Sequence, residues 1–140
     1  SEHISNLHLG WVLGGWLVAV AVSSAGFMVL VGLGLLGPGV RGGTLLVPAA
    51  IGVGFFVGGL FVGLRWSDAP VLHGAAITFL SVLVWFLGEV LTPRFMEPAL
   101  GSGASRSEFA LGMILLQLVV TVAGGLTGRR MVLGRLAAGE

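Results

Sequence analysis

The chain has 140 residues, of which 56% are hydrophobic and 9% are charged, and its mean hydropathy is +1.05. Soluble domains have about a quarter charged residues, so this composition predicts a membrane protein. Seven basic residues nearly balance six acidic ones and there is no cysteine, which argues against nucleic-acid binding and excludes both disulfides and a thiolate metal site.

Four apolar segments have the length of a transmembrane helix, for which about 20 residues cross a hydrocarbon core of about 30 Å. The first of them is too long for the apolar core of a signal peptide, and no basic residue precedes it, so we expect a retained helix. The segments lie at about 10–36, 44–65, 71–91 and 109–130. We therefore expect one all-α domain over residues 1–140, an integral membrane bundle of four transmembrane helices.

The breaks between the segments, together with the charges beside them, indicate which side of the membrane each end of the chain lies on. They lie at 37–43, 66–70 and 92–108, and Ser107 is the expected N-cap of the fourth helix. Three arginines lie at or just beyond the end of the last segment, at positions 129, 130 and 135. Cytoplasmic flanks are enriched in basic residues, so we expect a multi-pass protein of the inner (cytoplasmic) membrane with both termini in the cytoplasm.

The second half of the chain echoes the first. Residues 12–15 and 71–74 open the first and third segments alike, at an offset of 59, while 58–60 and 124–126 end the second and fourth alike, at an offset of 66. This order predicts a parallel repeat of two helical hairpins, related by an axis along the membrane normal. The alternative is a chance match between glycine-rich apolar helices.

Glycine accounts for 25 residues, too many for loops alone. In lipid, helices associate by close backbone approach at small residues, often with GxxxG spacing. At 100° per residue, Gly59 and Gly63 share one face of the second helix and Gly54 and Gly58 the opposite face, which predicts a central second helix. The expected helix-packing residues are Gly14, Gly15, Gly52, Gly54, Gly58, Gly59, Gly63, Gly124, Gly125 and Gly128.

Polar side chains form stripes on the third and fourth helices. Such groups face protein or water, because lipid cannot satisfy them. They predict either interhelical hydrogen bonds or the lining of a permeation or ligand site. Glu89, the acidic residue within an apolar segment, is expected at the non-cytoplasmic interface with Arg94 as its partner; the alternative is a proton or cation site. The candidate polar residues are His73, Thr78, Ser81, Glu89, Gln117 and Thr121.

Two histidines lie near the same membrane surface. His8 precedes the first helix and His73 opens the third, so together they offer imidazole ligands for haem or for a chlorophyll magnesium, or else interfacial hydrogen bonds. No other cofactor is expected, apart from bound lipid. The chain has no HExxH, GxSxG, phosphate-loop or EF-hand pattern, so no catalytic or metal-ligating residue is assigned.

The sequence resembles the YrzE-like small membrane proteins, which are bacterial four-helix proteins of unknown function. Over residues 9–92 the resemblance rests on a tryptophan at the start of the first helix, a glycine-rich second helix and a Leu-His-Gly opening of the third. The matching positions are Trp11, Gly58, Gly59, Gly63, Leu72, His73 and Gly74. The resemblance implies a bacterial membrane protein and no particular activity.

We expect a non-enzymatic structural or accessory subunit that packs within a larger membrane complex or a homo-oligomer, in contact with lipid. The alternative is a small transporter or channel, formed as a homodimer, whose path runs between the two hairpins. The two alternatives differ in whether Glu89 and Gln117 line a water-accessible cleft or end in protein contacts.

Overall fold

The computed structural model describes residues 3–37, 45–65, 68–91 and 103–139, without the side chains of 89–91, 103–107 and 109. After a short 3-10 turn at Ile4–Asn6, the helices are α1 (Leu9–Gly32), α2 (Leu46–Arg65), α3 (Pro70–Leu91) and α4 (Gly103–Ala137). All four are long and apolar enough to cross a membrane, and the described ranges contain no strand. The predicted all-α bundle of four membrane helices is confirmed.

α1 ends at Gly32, whereas the apolar pattern predicted an end near Leu36. The reason is Gly34, whose φ of +71° is a left-handed conformation that glycine adopts at little cost. The Leu35 amide then donates to the Leu30 carbonyl at 2.9 Å, and the Gly34 amide to the Val31 carbonyl at 3.0 Å. This is a Schellman motif, which satisfies the last carbonyls and stops the helix despite the apolar residues that follow.

α4 is longer than predicted at both ends. Ser107 lies inside the helix, so its assignment as the N-cap was wrong. At the other end, the arginines were taken as the end of the helix, but no proline follows them and the helix continues to Ala137. At 1.5 Å per residue, its 35 residues extend to about 52 Å, well beyond a hydrocarbon core of about 30 Å.

α2 is the central helix, as its two glycine faces predicted. Within the most apolar 18-residue stretch of each helix, 39% of the residues are buried in α2, against 22% in α1, 22% in α3 and 17% in α4. It contacts all three other helices, and most extensively α4. Gly54 and Gly58 face the backbone of α1, while Gly59 and Gly63 face the backbone of α4.

The crossing of α2 and α4 brings four glycines against backbone carbonyls of the opposite helix. A Cβ added to any of them would lie less than 3.0 Å from a carbonyl oxygen, closer than real Cβ atoms come. The contacts are Gly59 with Thr121, Gly63 with Gly125, Gly124 with Phe56, and Gly128 with Leu60. The crossing therefore requires glycine at these positions on both helices.

These contacts have an internal symmetry. Gly59 and Gly124 are 65 positions apart, and so are their partners Phe56 and Thr121. A shift of 65 positions also relates the contact of Gly63 with Gly125 to the contact of Gly128 with Leu60. A local two-fold relation between α2 and α4 is the packing that a duplicated hairpin produces, although its offset is one residue less than the 66 read from the aligned sequence. Superposition of the two whole hairpins stays a prediction.

The core lies toward the end of the bundle where α1 and α3 begin. Val12 and Ala19 of α1, Val62 of α2 and Ile77 of α3 are buried together there. At this end α3 approaches α4 closely, since a Cβ on Gly74 would lie 3.0 Å from the Val122 side chain. Farther along α3, the side chains are larger and more exposed, and a cavity opens between the helices.

Candidate functional site

His73 joins the beginnings of α1 and α3. Its side chain is 1% exposed. Nδ1–H donates to the Ala69 carbonyl at 2.8 Å, and Nε2 accepts from the His8 backbone amide at 3.2 Å. Because a carbonyl only accepts and an amide only donates, these partners assign the neutral tautomer with its proton on Nδ1. His8 is the N-cap residue of α1, so His73 satisfies a backbone group at that helix end.

This geometry argues against His73 as an axial ligand of haem or chlorophyll. Coordination needs a free lone pair on one ring nitrogen, and the Nε2 lone pair already accepts the His8 amide. The His8 ring is turned elsewhere, with Nδ1 3.2 Å from the Asn6 carbonyl. The two histidines do meet, as their positions suggested, but through a backbone amide.

Thr78 and Thr121 are buried and bonded within their own helices. The Thr78 hydroxyl donates to the Gly74 carbonyl at 3.1 Å, and the Thr121 hydroxyl donates to the Gln117 carbonyl. Such bonds to the carbonyl four residues earlier satisfy the hydroxyl locally. These two residues therefore form part of the packed layer, and neither needs a partner on another helix.

Ser81 and Gln117 line a cavity of about 190 Å³ between α2, α3 and α4. Their side chains make no hydrogen bond to any residue that the structure describes. The remaining walls are apolar apart from one indole, and are formed by Ile51, Val82, Trp85, Ala110 and Met113. We call this space, together with its extension toward α1, the membrane cavity.

The extension shares Ile51, Ser81, Trp85 and Gln117 with the first part and adds a wall from α1. That wall contains Trp16 and Ser23, together with Val20, Ser24 and Phe27. The Trp16 Nε1 and Ser23 Oγ atoms are buried and have no hydrogen-bond partner among the described residues. Neither residue is among the candidate polar residues expected from the sequence. Ser23 stands four and eight positions after Ala19 and Gly15, so its place on the small-residue face of α1 could have identified it.

The predicted Glu89–Arg94 pair lies outside the described part of the chain. Glu89 falls in the last turn of α3, but its side chain is not described, and Arg94 belongs to 92–102, which is also not described. Of the candidate polar residues, the structure thus brings Ser81 and Gln117 together at the membrane cavity. It places His73, Thr78 and Thr121 in the packed end of the bundle.

The described charged residues lie at helix ends. Arg65 ends α2, and Arg129, Arg130 and Arg135 lie in the last turns of α4, all exposed. Within the described ranges, no three His, Asp or Glu residues lie close enough to hold a metal ion. Comparison with protein-family models, with curated proteins and with solved structures gave no match to this chain. A functional interpretation therefore rests on the contacts within the chain.

Proposed function

We propose that this small multi-pass membrane protein is a non-enzymatic accessory subunit that packs within a larger membrane complex or a homo-oligomer. The observation that carries the proposal is the state of His73, the buried ionisable side chain among the residues that the structure describes. Its Nε2 holds α1 to α3 through the His8 amide, and its Nδ1 is engaged by the Ala69 carbonyl just before α3, so both ring nitrogens are occupied by structural contacts. A histidine in this role supports the fold and is not poised for acid–base or nucleophilic chemistry.

The outer surface also fits a packing role. Large apolar side chains recur every three or four residues on the outer faces of α1, α3 and α4, where helical periodicity aligns them into stripes. Examples are Leu13 and Leu17 on α1, Phe79 and Phe86 on α3, and Leu111, Leu115 and Val119 on α4. Lipid or another apolar helix can cover such stripes equally well, and so the partner must be sought by experiment.

The transporter alternative has one observation in its favour, namely that Gln117 and Ser81 line the membrane cavity. A path to the arginine-bearing end of the bundle would have to cross a layer that includes Ile77 and Thr121, both 0% exposed. In that layer α2 and α4 touch backbone to backbone at Gly59 and Thr121. A cavity that ends at such a layer is better suited to binding than to passage.

The absence of cysteine makes a clean test possible. Single cysteines are introduced on the exposed faces, as Leu17→Cys, Phe79→Cys and Leu115→Cys, and native membranes are treated with a short bifunctional thiol cross-linker. The proposal predicts that at least one variant forms a defined adduct larger than the 14.3 kDa chain. Mass spectrometry then distinguishes a second copy from another membrane subunit.

The matched control is Asp68→Cys. Asp68 is exposed just before α3 and outside the apolar faces, so a cysteine there reports cross-linking by random collision. If all three face variants stay monomeric in membranes at native expression level, or cross-link no better than Asp68→Cys, the accessory role is wrong.

A further inference from the structure

We propose that the membrane cavity binds an apolar membrane molecule through a hydrogen-bond-accepting carbonyl group. The cavity lies about halfway along the helices, beside Ser81 of α3 and Gln117 of α4. The part between α2, α3 and α4 alone has a volume of about 190 Å³, roughly six times the 30 Å³ that a water molecule occupies in the liquid. It can therefore hold the polar head of a ligand whose hydrocarbon part extends into the bilayer.

The polar groups of the cavity define the ligand chemistry. The Gln117 amide and the Ser81 hydroxyl both offer hydrogen-bond donors, and neither is used within the described residues. In a hydrocarbon environment, an unmade hydrogen bond is costly because no bulk water replaces the partner. A carbonyl oxygen accepts from both donors at once, and it adds no charge to a cavity that has no described ionisable residue in its walls.

The wall contributed by α1 supports the same chemistry. Ser23 is 7% exposed and lines the cavity, and its hydroxyl is buried without a partner, as is the indole N–H of Trp16. Both residues line the cavity, so each brings an unused hydrogen-bond donor to its wall. The aromatic side chains of Trp85, Phe27 and Phe55 complete an apolar lining suited to a flat ring or an acyl chain.

Two kinds of membrane molecule share the required carbonyl: a quinone headgroup and the ester group of a glycerolipid. The test uses the full chain in detergent and measures its thermal unfolding midpoint, because a ligand that binds the folded state raises it with concentration. The probes are decylubiquinone, dioctanoylglycerol and decylbenzene, of which the last has the apolar tail and an aromatic ring but no carbonyl. We expect a saturable rise in the unfolding midpoint with at least one carbonyl compound and no rise with decylbenzene. The carbonyl compound that acts at the lower concentration shows whether the ligand is of the quinone or the glycerolipid kind.

Two variants connect the effect to the cavity. Gln117→Met keeps the length of the side chain but removes its donors, and Ser81→Ala is a milder change that keeps the test open if the first variant folds poorly. Each is expected to raise the half-saturating concentration about fivefold, the change that a typical lost hydrogen bond produces.

Thr127→Val is the matched control, since the Thr127 hydroxyl is bonded to the Ala123 carbonyl at 2.8 Å and does not line the cavity. It should respond to the probes like the unaltered chain. The proposal is overturned if decylbenzene acts as well as the carbonyl compounds, if no compound gives a saturable rise, or if both cavity variants respond like Thr127→Val.

Discussion

Replacing Gly59 with alanine tests the backbone contact that holds α2 to α4. The new Cβ would meet the carbonyl group of Thr121, with the Thr121 Cα at 3.1 Å. All of these atoms are backbone, so no side-chain rotation relieves the overlap and the helices must separate. Overpacking of this kind costs about 1–3 kcal/mol, whereas the higher helix propensity of alanine returns at most about 1 kcal/mol. Since separation also loosens the other three glycine contacts, we expect a net loss of about 2 kcal/mol.

Gly112→Ala is the matched control for this measurement. Gly112 also lies inside α4, but it is exposed and nothing lies within 4 Å of an added Cβ, so only the propensity term applies. Unfolding by sodium dodecyl sulfate in mixed micelles, followed by tryptophan fluorescence, gives both free energies. Gly59→Ala should lower the unfolding free energy and Gly112→Ala should leave it unchanged or slightly higher. Equal values would refute the close crossing, and Gly59→Leu should be more damaging than Gly59→Ala.

Three further substitutions test other contacts. Gly124→Ala should lower the free energy of unfolding as much as Gly59→Ala does. The double variant should lose less than the sum of the two, because one separation of the helices makes room for both Cβ atoms. Additive losses in the same unfolding assay would contradict this. His73→Leu should destabilise by about 1–3 kcal/mol and speed amide hydrogen exchange at the start of α1, since the His8 amide loses its acceptor; unchanged exchange there would contradict the contact. Ser23→Ala, with no ligand added, should leave thermal stability unchanged or raised, because it removes a buried hydroxyl without a partner; a large loss would reveal a missed bond.

Much of the fold could be predicted from the sequence because the lipid environment imposes simple rules. Span lengths and apolar runs gave four helices, and the 100° periodicity placed Gly54 and Gly59 on opposite faces of the central helix. The helix ends were less predictable. Gly34 stops α1 inside an apolar run, while the apolar run of α4 ends at Arg129 and the helix continues to Ala137. Hydropathy predicts where an apolar segment ends, whereas the end of a helix depends on its backbone hydrogen bonds.

The candidate site was only partly accessible to sequence reasoning. The polar stripes identified Ser81 and Gln117, but they could not distinguish these residues from Thr78, whose hydroxyl is satisfied by its own helix. The contact of His73 with the His8 backbone depends on how α1 packs against α3, and no local pattern encodes it. The same is true of Trp16, whose indole N–H is left without a partner by the packing around it.

The distribution of residue size along the helices connects the fold to the proposed binding site. Where α2 crosses α4 the contacts are made by glycine, so the backbones touch and no space remains for a ligand. About two turns farther along α2 and α4, the larger side chains of Ile51 and Met113, together with Trp85 of α3, line the membrane cavity. The glycines thus hold the helices together on one side of the membrane cavity, which lies about halfway along the bundle beside these bulkier side chains. Because the glycine-packed layer satisfies its own polar groups, the donors available for an external partner are those left over around the membrane cavity, namely Ser81 and Gln117 together with Trp16 and Ser23 of the α1 wall.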